Sequence, residues 1–521
     1  MTVGDSPSDS TSVNAEVLRR CSSNGRGLYL LAFGIGLVLR VLLLHGPEGA
    51  LDGDEAVTGL IARAASHGKF LWIFPGQYYQ GTLEGFAAWI VHPILGESPL
   101  VLKMITLLCW LGGALLLDRA IVRLGLARGG LAFGLVWCWS AAMIRSSTNA
   151  RSGYGAGLLL CSFGMYAFVR AASDPGRRGV AWLACSGLAF GAAVWQSPTY
   201  LGLGAAFCLG ALLVPATRTL ARIAAMACSV IVGASPLLLV NALHDWRGLR
   251  PPHQRATTYG ERLRTVVWQL LPRNLGLRLW HGEWVYGAVV GIVLLLGFVA
   301  VMGAGAFRIL DTRRKVDPAA RPFVLAVPVG VVTLASFATS WYVADARYSL
   351  SLLLPMAALV ATGLGSWWGD RPLRLGVAFL AWVAIAAIVP MARGGDFGDG
   401  RPNDRDAMPA SDASLLERSV GAAGFRCVMG SYWVVNPLGY ESEGRLHTSP
   451  APGRGHRFPE DFRRIDAVPG RWVMVIRRDE KAAGALRRLV SDSSAWRRVV
   501  VGPYDLYVPA APKVAIPGAW C

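Results

Sequence analysis

The stretch Leu51-Asp52-Gly53-Asp54-Glu55-Ala56-Val57-Thr58-Gly59-Leu60 lies just past the first long apolar run of the chain and places three carboxylates within four residues. No neighbouring cation in the sequence neutralises them. Acids at the end of a membrane span are costly to hold against a bilayer, so they either face water or line a polar cavity that performs chemistry. We favour the second interpretation, which requires later segments to bring matching polar groups to the same side of the membrane.

The composition is that of a polytopic membrane protein. Of the 521 residues, 53% are hydrophobic and 16% are charged, and the mean hydropathy is +0.42; a soluble domain of average composition is much less apolar. The net charge of +18 is carried by arginines dispersed among the apolar runs, so no basic face for nucleic acid is indicated. The nine cysteines include no C-x-x-C pair that would suggest a metal site or a disulfide scaffold.

Eleven apolar runs predict an α-helical polytopic protein with about 11 transmembrane helices. Runs of about 17 to 23 apolar residues are long enough to cross a bilayer of about 30 Å as helices, although several of these are short. The fifth and sixth runs are separated only by Gln196-Ser197-Pro198-Thr199, where Pro198 favours a break. The runs span residues 27–44, 99–117, 129–144, 153–169, 180–195, 200–214, 223–243, 285–306, 323–341, 350–365 and 373–391.

Basic residues near the ends of the runs predict the orientation of the chain. With residues 1–26 as a cytoplasmic tail, every segment that falls inside has at least two arginines within it or at the adjoining end of a run. The segment 244–284 falls outside despite seven arginines, but long segments cross the membrane with less regard for charge. Eleven spans then place the acidic stretch and the C-terminal part outside. We therefore predict a multi-pass plasma-membrane protein with a cytoplasmic N-terminus and an extracytoplasmic C-terminal domain.

The hydropathy falls after a membrane domain of residues 27–393. Residues 394–410 are a linker rich in Gly, Asp and Arg, and residues 411–521 predict a small α/β domain. Helical patterns occupy residues 411–423 and 479–490, and strand patterns occupy residues 425–429, 472–476 and 498–507. Cys427 and Cys521 either form a disulfide in an oxidising compartment or remain two unpaired thiols.

Polar side chains gather at the predicted outer ends of the spans. Residues 55–67 have apolar residues at helical spacing and are expected to lie along the membrane surface, and residues 76–84 return polar and aromatic groups before another interfacial helix. Acids, arginines, amides and aromatics thus converge on one face. The residues predicted to bind substrate are Asp52, Gln77, Tyr79, Gln80, Glu84, Asn149, Arg151, Tyr154, Gln196, Asp345, Arg347 and Tyr348.

These residue types suit the transfer of a group from a phosphate-linked donor. A carboxylate can take the proton of an acceptor hydroxyl as general base, while arginines stabilise the charge that develops on a leaving phosphate. Inverting transfer to a sugar needs one base, whereas a retaining reaction needs a second carboxylate as nucleophile. Each group also has a simpler role, because acids favour the first turn of a helix and arginines at span ends can reach lipid headgroups.

Three motifs resemble the GT-C glycosyltransferases. They are the D-E pair Asp54-Glu55 in a long first outer loop, the sequence G-Q-Y-Y-x-G-x-L-E at Gly76 to Glu84, and the A-R-Y sequence that begins at Ala346 and runs to Pro355 with one extra residue. Within this superfamily the sequence is most similar to the branch of the protein O-mannosyltransferases and aminoarabinose transferases. The resemblance covers the membrane domain.

The resemblance implies a polyprenyl-phosphate sugar as donor and inverting transfer on the non-cytoplasmic face. It places Asp54 at the position of the catalytic base, which the D-E pair favours over Asp52, with Glu55 beside it. Arg347, together with Arg151, is expected to contact the donor phosphate. Glu55 and Glu84 are either supporting acids or ligands of a divalent metal, and the resemblance leaves the metal open. The acceptor is a lipid, a glycan or a protein.

Two other classes of protein compete with this interpretation. A transporter or flippase of lipid-linked sugars would be expected to show paired repeats and discontinuous helices with polar groups near the bilayer midplane, whereas the polar groups here collect at outer span ends. A binding or scaffold protein would depend on its outer domain instead. An Asp54→Asn variant with unchanged activity would favour that class.

Overall fold

The computed structural model describes residues 25–249, 258–279, 282–314, 316–337, 346–369, 371–394, 407–451, 472–480, 483–491 and 494–510. A helical membrane domain is followed by a small C-terminal α/β domain, as predicted. The membrane-domain helices are α1 (Arg26–His45), α2 (Gly53–Ser66), α3 (Leu83–Leu95), α4 (Pro99–Arg123), α5 (Leu131–Trp137), α6 (Ala141–Thr148), α7 (Tyr154–Ala172), α8 (Arg177–Gln196), α9 (Leu201–Leu213), α10 (Leu220–Leu243), α11 (Tyr259–Thr265), α12 (Leu271–Asn274), α13 (Ala288–Leu310), α14 (Arg321–Phe337), α15 (Leu350–Trp368), α16 (Pro372–Val383) and α17 (Val389–Gly394).

Nine helical segments within the described residues are long and apolar enough to cross a membrane. They correspond to nine of the eleven predicted runs, which confirms a polytopic α-helical membrane protein. The sixth run forms a shorter apolar helix, Pro198–Leu213. The nine segments are Arg26–His45, Pro99–Arg123, Tyr154–Ala172, Arg177–Gln196, Leu220–Leu243, Ala288–Leu310, Pro318–Ser336, Ala346–Trp368 and Pro372–Gly394.

The third predicted run is not a single span, so the prediction over residues 129–144 is wrong. The chain leaves the helical conformation between α5 and α6, and the Ser140 hydroxyl caps α6 by accepting a hydrogen bond from the Met143 amide at 3.3 Å. The end of α5 frees the carbonyl of Trp137, which accepts a hydrogen bond from the buried Arg40 guanidinium at 2.9 Å. The apolar composition continues through this break and therefore conceals it.

Helix α15 forms the centre of the membrane domain. Its side chains are buried along almost the whole helix, which is typical of a helix surrounded by others on all sides. Helices α13 and α14 pack against it, and α4, α7, α8 and α10 pack one against the next in that order. The core is continuous across these helices and holds the large indole rings of Trp110, Trp137 and Trp139.

The C-terminal domain is a five-stranded mixed sheet with helices on both faces. The strands lie in the order β4 (His447–Pro450), β3 (Cys427–Gly430), β5 (Trp472–Arg477), β7 (Tyr504–Pro509) and β6 (Trp496–Val501). Strand β3 runs parallel to β4 and β5, and the β5–β7 and β6–β7 pairs are antiparallel. The predicted strand over residues 498–507 is instead a hairpin that turns at Gly502. The elements are β2 (Ala407–Met408), α18 (Ala410–Ala422), β3 (Cys427–Gly430), α19 (Tyr432–Glu441), β4 (His447–Pro450), β5 (Trp472–Arg477), α20 (Ala483–Leu489), β6 (Trp496–Val501) and β7 (Tyr504–Pro509).

Side chains alternate along the central strand β5 and build a core on each face. Val473 and Val475 join the core with α18 and α19, whereas Trp472, Met474 and Ile476 join the core on the α20 side. This alternation is the pattern from which the strand is predicted. Cys521 lies outside the described residues, so the two alternatives for its pairing with Cys427 stay predictions.

The C-terminal domain docks directly on the acidic stretch. Strand β1 (Leu51–Asp52) pairs antiparallel with β2, and α19 packs along α2. Arg63 on α2 donates hydrogen bonds to the carbonyls of Gly439 and Tyr440, each at 2.9 Å, and its guanidinium lies 2.6 Å from Glu97. Because carbonyls at the C-terminal end of a helix lack partners within it, this arginine fixes the end of α19 on the membrane domain.

Candidate active site

Helix α2 begins with a reciprocal cap built by two of the three clustered acids. Asp52 Oδ1 accepts a hydrogen bond from the Glu55 amide at 2.8 Å, and Glu55 Oε2 accepts one from the Asp52 amide at 3.1 Å. This capping box satisfies two backbone donors that the first turn would otherwise leave unpaired. The capping role that acids commonly play in a first turn therefore belongs to Asp52 and Glu55, and not to the side chain of Asp54.

The loop between α6 and α7 supplies the groups that hold these two acids. The Ala150 amide donates to Glu55 Oε1 at 2.7 Å, and the Arg151 Nε donates to Asp52 Oδ2 at 2.6 Å. The Lys103 ammonium on α4 lies 2.6 Å from Glu55 Oε1. Each acid thus has its own cation inside the protein, which removes much of the cost of burying it.

The side chain of Glu84, on α3, caps helix α7, which begins at the end of the same loop. Its carboxylate accepts hydrogen bonds from the Gly153 amide at 2.7 Å and the Ala156 amide at 2.9 Å, at the start of α7. Gly153 has φ +87°, and a Cβ there would lie 2.4 Å from the carbonyl oxygen of Gln196. The turn that presents these amides to Glu84 therefore requires glycine.

All three of these carboxylates are buried, and their surroundings set the direction of their pKa shifts. Burial is the largest single effect on Asp52 and raises its pKa, but the Arg151 guanidinium, the Glu55 amide and the Lys103 ammonium together outweigh it, and the net pKa is lowered. Burial raises the pKa of Glu55 against the opposing effect of the Lys103 ammonium. Burial also raises the pKa of Glu84, although backbone amides that donate to it act in the other direction. Fixed partners, rather than solvent, surround these acids.

Asp54 differs from its neighbours. Its side chain is half-buried, and its Oδ1 accepts a hydrogen bond from the Tyr432 hydroxyl at 2.7 Å. Within the part of the chain that the structure describes, no arginine or lysine pairs with this carboxylate. Of the three clustered acids, Asp54 is therefore the one whose charge is available to an incoming group.

Arg347, Tyr154 and Tyr348 form a cluster of one cation and two aromatic rings. Arg347 lies with its guanidinium carbon 5.5 Å from the Tyr154 ring centroid and 5.1 Å from that of Tyr348, distances typical of cation–π contacts. The two tyrosine rings meet edge to face at 6.2 Å. Tyr154 begins α7 directly after the loop that holds the acids, so the cluster is linked to that loop through this residue. Asp345, also predicted here, lies outside the described residues.

The predicted amides fall into two groups. The buried Gln80 side chain donates to the Ser152 carbonyl and ties the first outer loop to the loop between α6 and α7. Gln196 Oε1 accepts from the Leu83 amide at 3.2 Å and ties the start of α3 to α8. Asn149 directly follows α6 and is half-buried at the start of the loop between α6 and α7. Gln77 and Tyr79 lie half-buried in the turn that precedes Gln80.

The residues considered as metal ligands do not fit that role. Glu55 accepts from Lys103 and two backbone amides, and Glu84 accepts from amides with both oxygens. Among the described residues, no group of three or more His, Cys, Asp and Glu side chains could hold a metal ion. We therefore derive no step through a metal.

Sequence reasoning missed Lys103 and Tyr432. Lys103 could have been found, because a lone lysine inside the apolar run 99–117 is costly unless it has an acidic partner in the protein. Tyr432 gave no such signal. It lies in an ordinary helical segment far from Asp54 in the sequence, and only the docking of α19 on α2 brings the two together.

Two solved structures share the fold of this chain, as the resemblance to the GT-C glycosyltransferases predicts. ArnT from Cupriavidus metallidurans bound to undecaprenyl phosphate is similar with a TM-score of 0.58 and 12% identity, over 94% of this chain and 99% of that chain. The oligosaccharyltransferase AglB from Archaeoglobus fulgidus, in complex with an inhibitory peptide and a dolichol-phosphate, is similar with a TM-score of 0.50 and 12% identity, over 94% of this chain and 75% of that chain. No family model and no curated protein sequence matches the chain.

Proposed function

We propose that the protein is a membrane glycosyltransferase that transfers a sugar from a polyprenyl phosphate to an acceptor hydroxyl, with inversion, on the non-cytoplasmic face of the membrane. The observation that carries this proposal is a difference in charge pairing. Asp52 and Glu55 are neutralised by Arg151 and Lys103, whereas Asp54 has no cationic partner among the described residues. Inverting transfer needs a single base. The GT-C fold and the polyprenyl phosphates bound to both similar structures support a lipid-linked donor.

In this mechanism Asp54 acts as general base. Its carboxylate takes the proton of the acceptor hydroxyl as the acceptor oxygen forms a bond to the anomeric carbon. The bond between that carbon and the phosphate oxygen breaks, and the polyprenyl phosphate leaves with the electron pair. A positioned carboxylate in this role contributes typically about 10²- to 10⁴-fold in rate.

Arg347 is the residue that we assign to the leaving phosphate. The guanidinium is held by the rings of Tyr154 and Tyr348, so its position is fixed before charge develops, which is the condition for effective electrostatic stabilisation. Arg151 was predicted to share this role. It also forms a salt bridge with Asp52 and thereby supports α2, the acid helix.

An apolar cleft beside the site suits a lipid chain. A cavity of about 470 Å³ opens between α1 and α4, and Lys103 lies in its wall. Its other lining groups are mainly aliphatic, including Leu37, Val41 and Met104. Ligand sites are commonly concave and apolar with a few polar groups. Since Lys103 also contacts Glu55, a prenyl segment bound there would lie next to the acid helix.

The orientation of the protein in this proposal rests on its basic residues. Arginines at the ends of the spans favour a cytoplasmic N-terminus, and the acid helix then lies outside with the C-terminal domain. The acceptor, whether lipid, glycan or protein, approaches Asp54 from that side. No nucleic acid is involved.

The test is sugar transfer by the purified protein in lipid, with a panel of radiolabelled polyprenyl-phosphate sugars. We expect turnover of one donor and a loss of about 10²-fold or more in Asp54→Asn. Asp245→Asn is a matched control, because Asp245 is exposed and has φ +53°, a conformation that asparagine also tolerates. Turnover that survives in Asp54→Asn would exclude Asp54 as base, and donor binding without turnover in the native protein would favour a transporter.

A further inference from the structure

The C-terminal domain contributes a side chain to the candidate active site. Tyr432 is the first residue of α19, and its hydroxyl donates a hydrogen bond of 2.7 Å to Asp54 Oδ1. We propose that Tyr432 is a positioning residue that holds the Asp54 carboxylate in the orientation needed for proton transfer. This inference rests on the proposed function, since it acts through the base.

The backbone beside Asp54 is shaped to receive the tyrosine ring. A Cβ at Gly53 would lie 2.7 Å from Tyr432 Cε1 and 3.0 Å from Trp433 Cε3, so the aromatic pair rests directly on the backbone of the residue before Asp54. Trp433 meets the Tyr432 ring edge to face at 4.9 Å. The ring therefore has little freedom to move away.

The rest of the docking surface keeps α19 in register with α2. The β1–β2 pairing joins Ala407 to Asp52, which lies two residues before Asp54 in the sequence. Arg63 holds the C-terminal end of α19 through the last carbonyls of that helix. The strand pairing and the Arg63 hydrogen bonds together hold the C-terminal domain on α2 and so fix the position of the Tyr432 hydroxyl relative to the acid. Such preorganisation matters, because small misplacements of a catalytic group reduce rates strongly.

The hydrogen bond divides the work between the two oxygens of Asp54. Oδ1 accepts from the phenol, which fixes the plane of the carboxylate, and Oδ2 is left to accept the proton of the acceptor hydroxyl. The phenol keeps its own proton throughout the reaction. Arg151 and Lys103 hold the neighbouring acids Asp52 and Glu55. The carboxylate of Asp54 is oriented instead by the hydrogen bond from the Tyr432 hydroxyl.

The test compares Tyr432→Phe with Tyr440→Phe. Both tyrosines are on α19 and pack on α2, but the Tyr440 hydroxyl has no hydrogen-bond partner in the described structure, so its removal tests packing alone. For Tyr432→Phe we expect kcat to fall about 10-fold or more, as for the loss of a hydrogen bond to a charged group, with the KM for the donor unchanged. For Tyr440→Phe we expect native kcat and KM.

Several outcomes would overturn this inference. An unchanged or higher kcat in Tyr432→Phe, with Asp54→Asn inactive, would do so while leaving the proposed function intact. An equal loss in Tyr440→Phe would assign the effect to docking instead. Full activity of Asp54→Asn would contradict the proposed function itself. If Tyr432→Phe does not fold, Gly53→Ala takes its place, because its added Cβ would displace the Tyr432 ring and is expected to lower kcat in the same way.

Discussion

The ammonium of Lys103 lies 2.6 Å from Glu55 Oε1, and both side chains are only 2% exposed. Arg151 pairs with Asp52 in a similar way. Two of three neighbouring acids are thereby neutralised inside the protein, and Asp54 alone among them is left without a cation in the described residues. Charge pairing by a distant helix and a distant loop thus distinguishes acids that look equivalent in the sequence.

Lys103→Met is expected to destabilise the protein strongly. The substitution keeps the length of the side chain but leaves Glu55 as a buried charge without its cation, which costs about 3–5 kcal/mol in comparable buried pairs. The free energy of unfolding in detergent or lipid is the measurement. The double variant with Glu55→Gln should recover part of the loss, because the remaining amide carries no charge. A loss of unfolding free energy in the double variant that equals the sum of the losses in the two single variants would show that the pair is not coupled.

Arg347→Ala is expected to reduce donor turnover by about 10²-fold, since an oriented group on developing charge typically contributes at this level. Arg347→Lys should recover little of it, because a lysine lacks the planar group that stacks on Tyr154 and Tyr348. Arg374→Ala is the control, as Arg374 is an exposed arginine at the start of α16. Steady-state kinetics with varied donor measure the effect. Equal losses in Arg347→Ala and Arg374→Ala would contradict a specific role.

Most of the spans could be predicted because the apolar length of a helix is a local property of the sequence. The break at Ser140 could not, since it depends on a hydroxyl cap and on Arg40 reaching the freed carbonyl of Trp137 from another helix. Helix α19 was also missed. It is short, and its stability depends on packing against α2 and the C-terminal sheet rather than on its own pattern.

The candidate site shows the same limit. The acids and the loop at residues 149–154 could be selected from the sequence because acids, arginines, amides and aromatics converge on the predicted outer ends of the spans. Their pairing could not be predicted. Whether Glu84 binds substrate, binds a metal or caps a helix depends on where the amides of Gly153 and Ala156 point, and this is set by the left-handed turn at Gly153.

Removal of divalent cations is expected to leave transfer activity unchanged. Glu55 and Glu84 are occupied by protein donors, so neither offers a free oxygen to a metal. Initial rates with and without EDTA are the measurement. Glu84→Gln is expected to lower the melting temperature, because an amide nitrogen cannot accept from the α7 backbone. A loss of activity in EDTA that added Mg²⁺ or Mn²⁺ reverses would show that a metal takes part.

Glu441→Gln is expected to stabilise the docked C-terminal domain in a pH-dependent way. Glu441 ends α19, where burial and the neighbouring Glu443 raise its pKa to about 6 from an ordinary value of 4.5. A raised pKa means that the folded protein binds the proton more tightly than the unfolded chain does. The stabilisation from this proton is therefore complete below the ordinary pKa and is lost as the pH rises through about 6.

Above that pH the native protein carries a half-buried negative charge at the C-terminal end of a helix, which is unfavourable. Glutamine removes the charge, so the melting temperature of Glu441→Gln should exceed that of the native protein at neutral pH, and the difference should vanish below about pH 4.5. Asp479→Asn is the comparison, because Asp479 is an exposed acid of the same domain, so removal of its charge relieves no burial of charge. A stabilisation by Glu441→Gln that is equal at both pH values would show that the charge of Glu441 is not its cause.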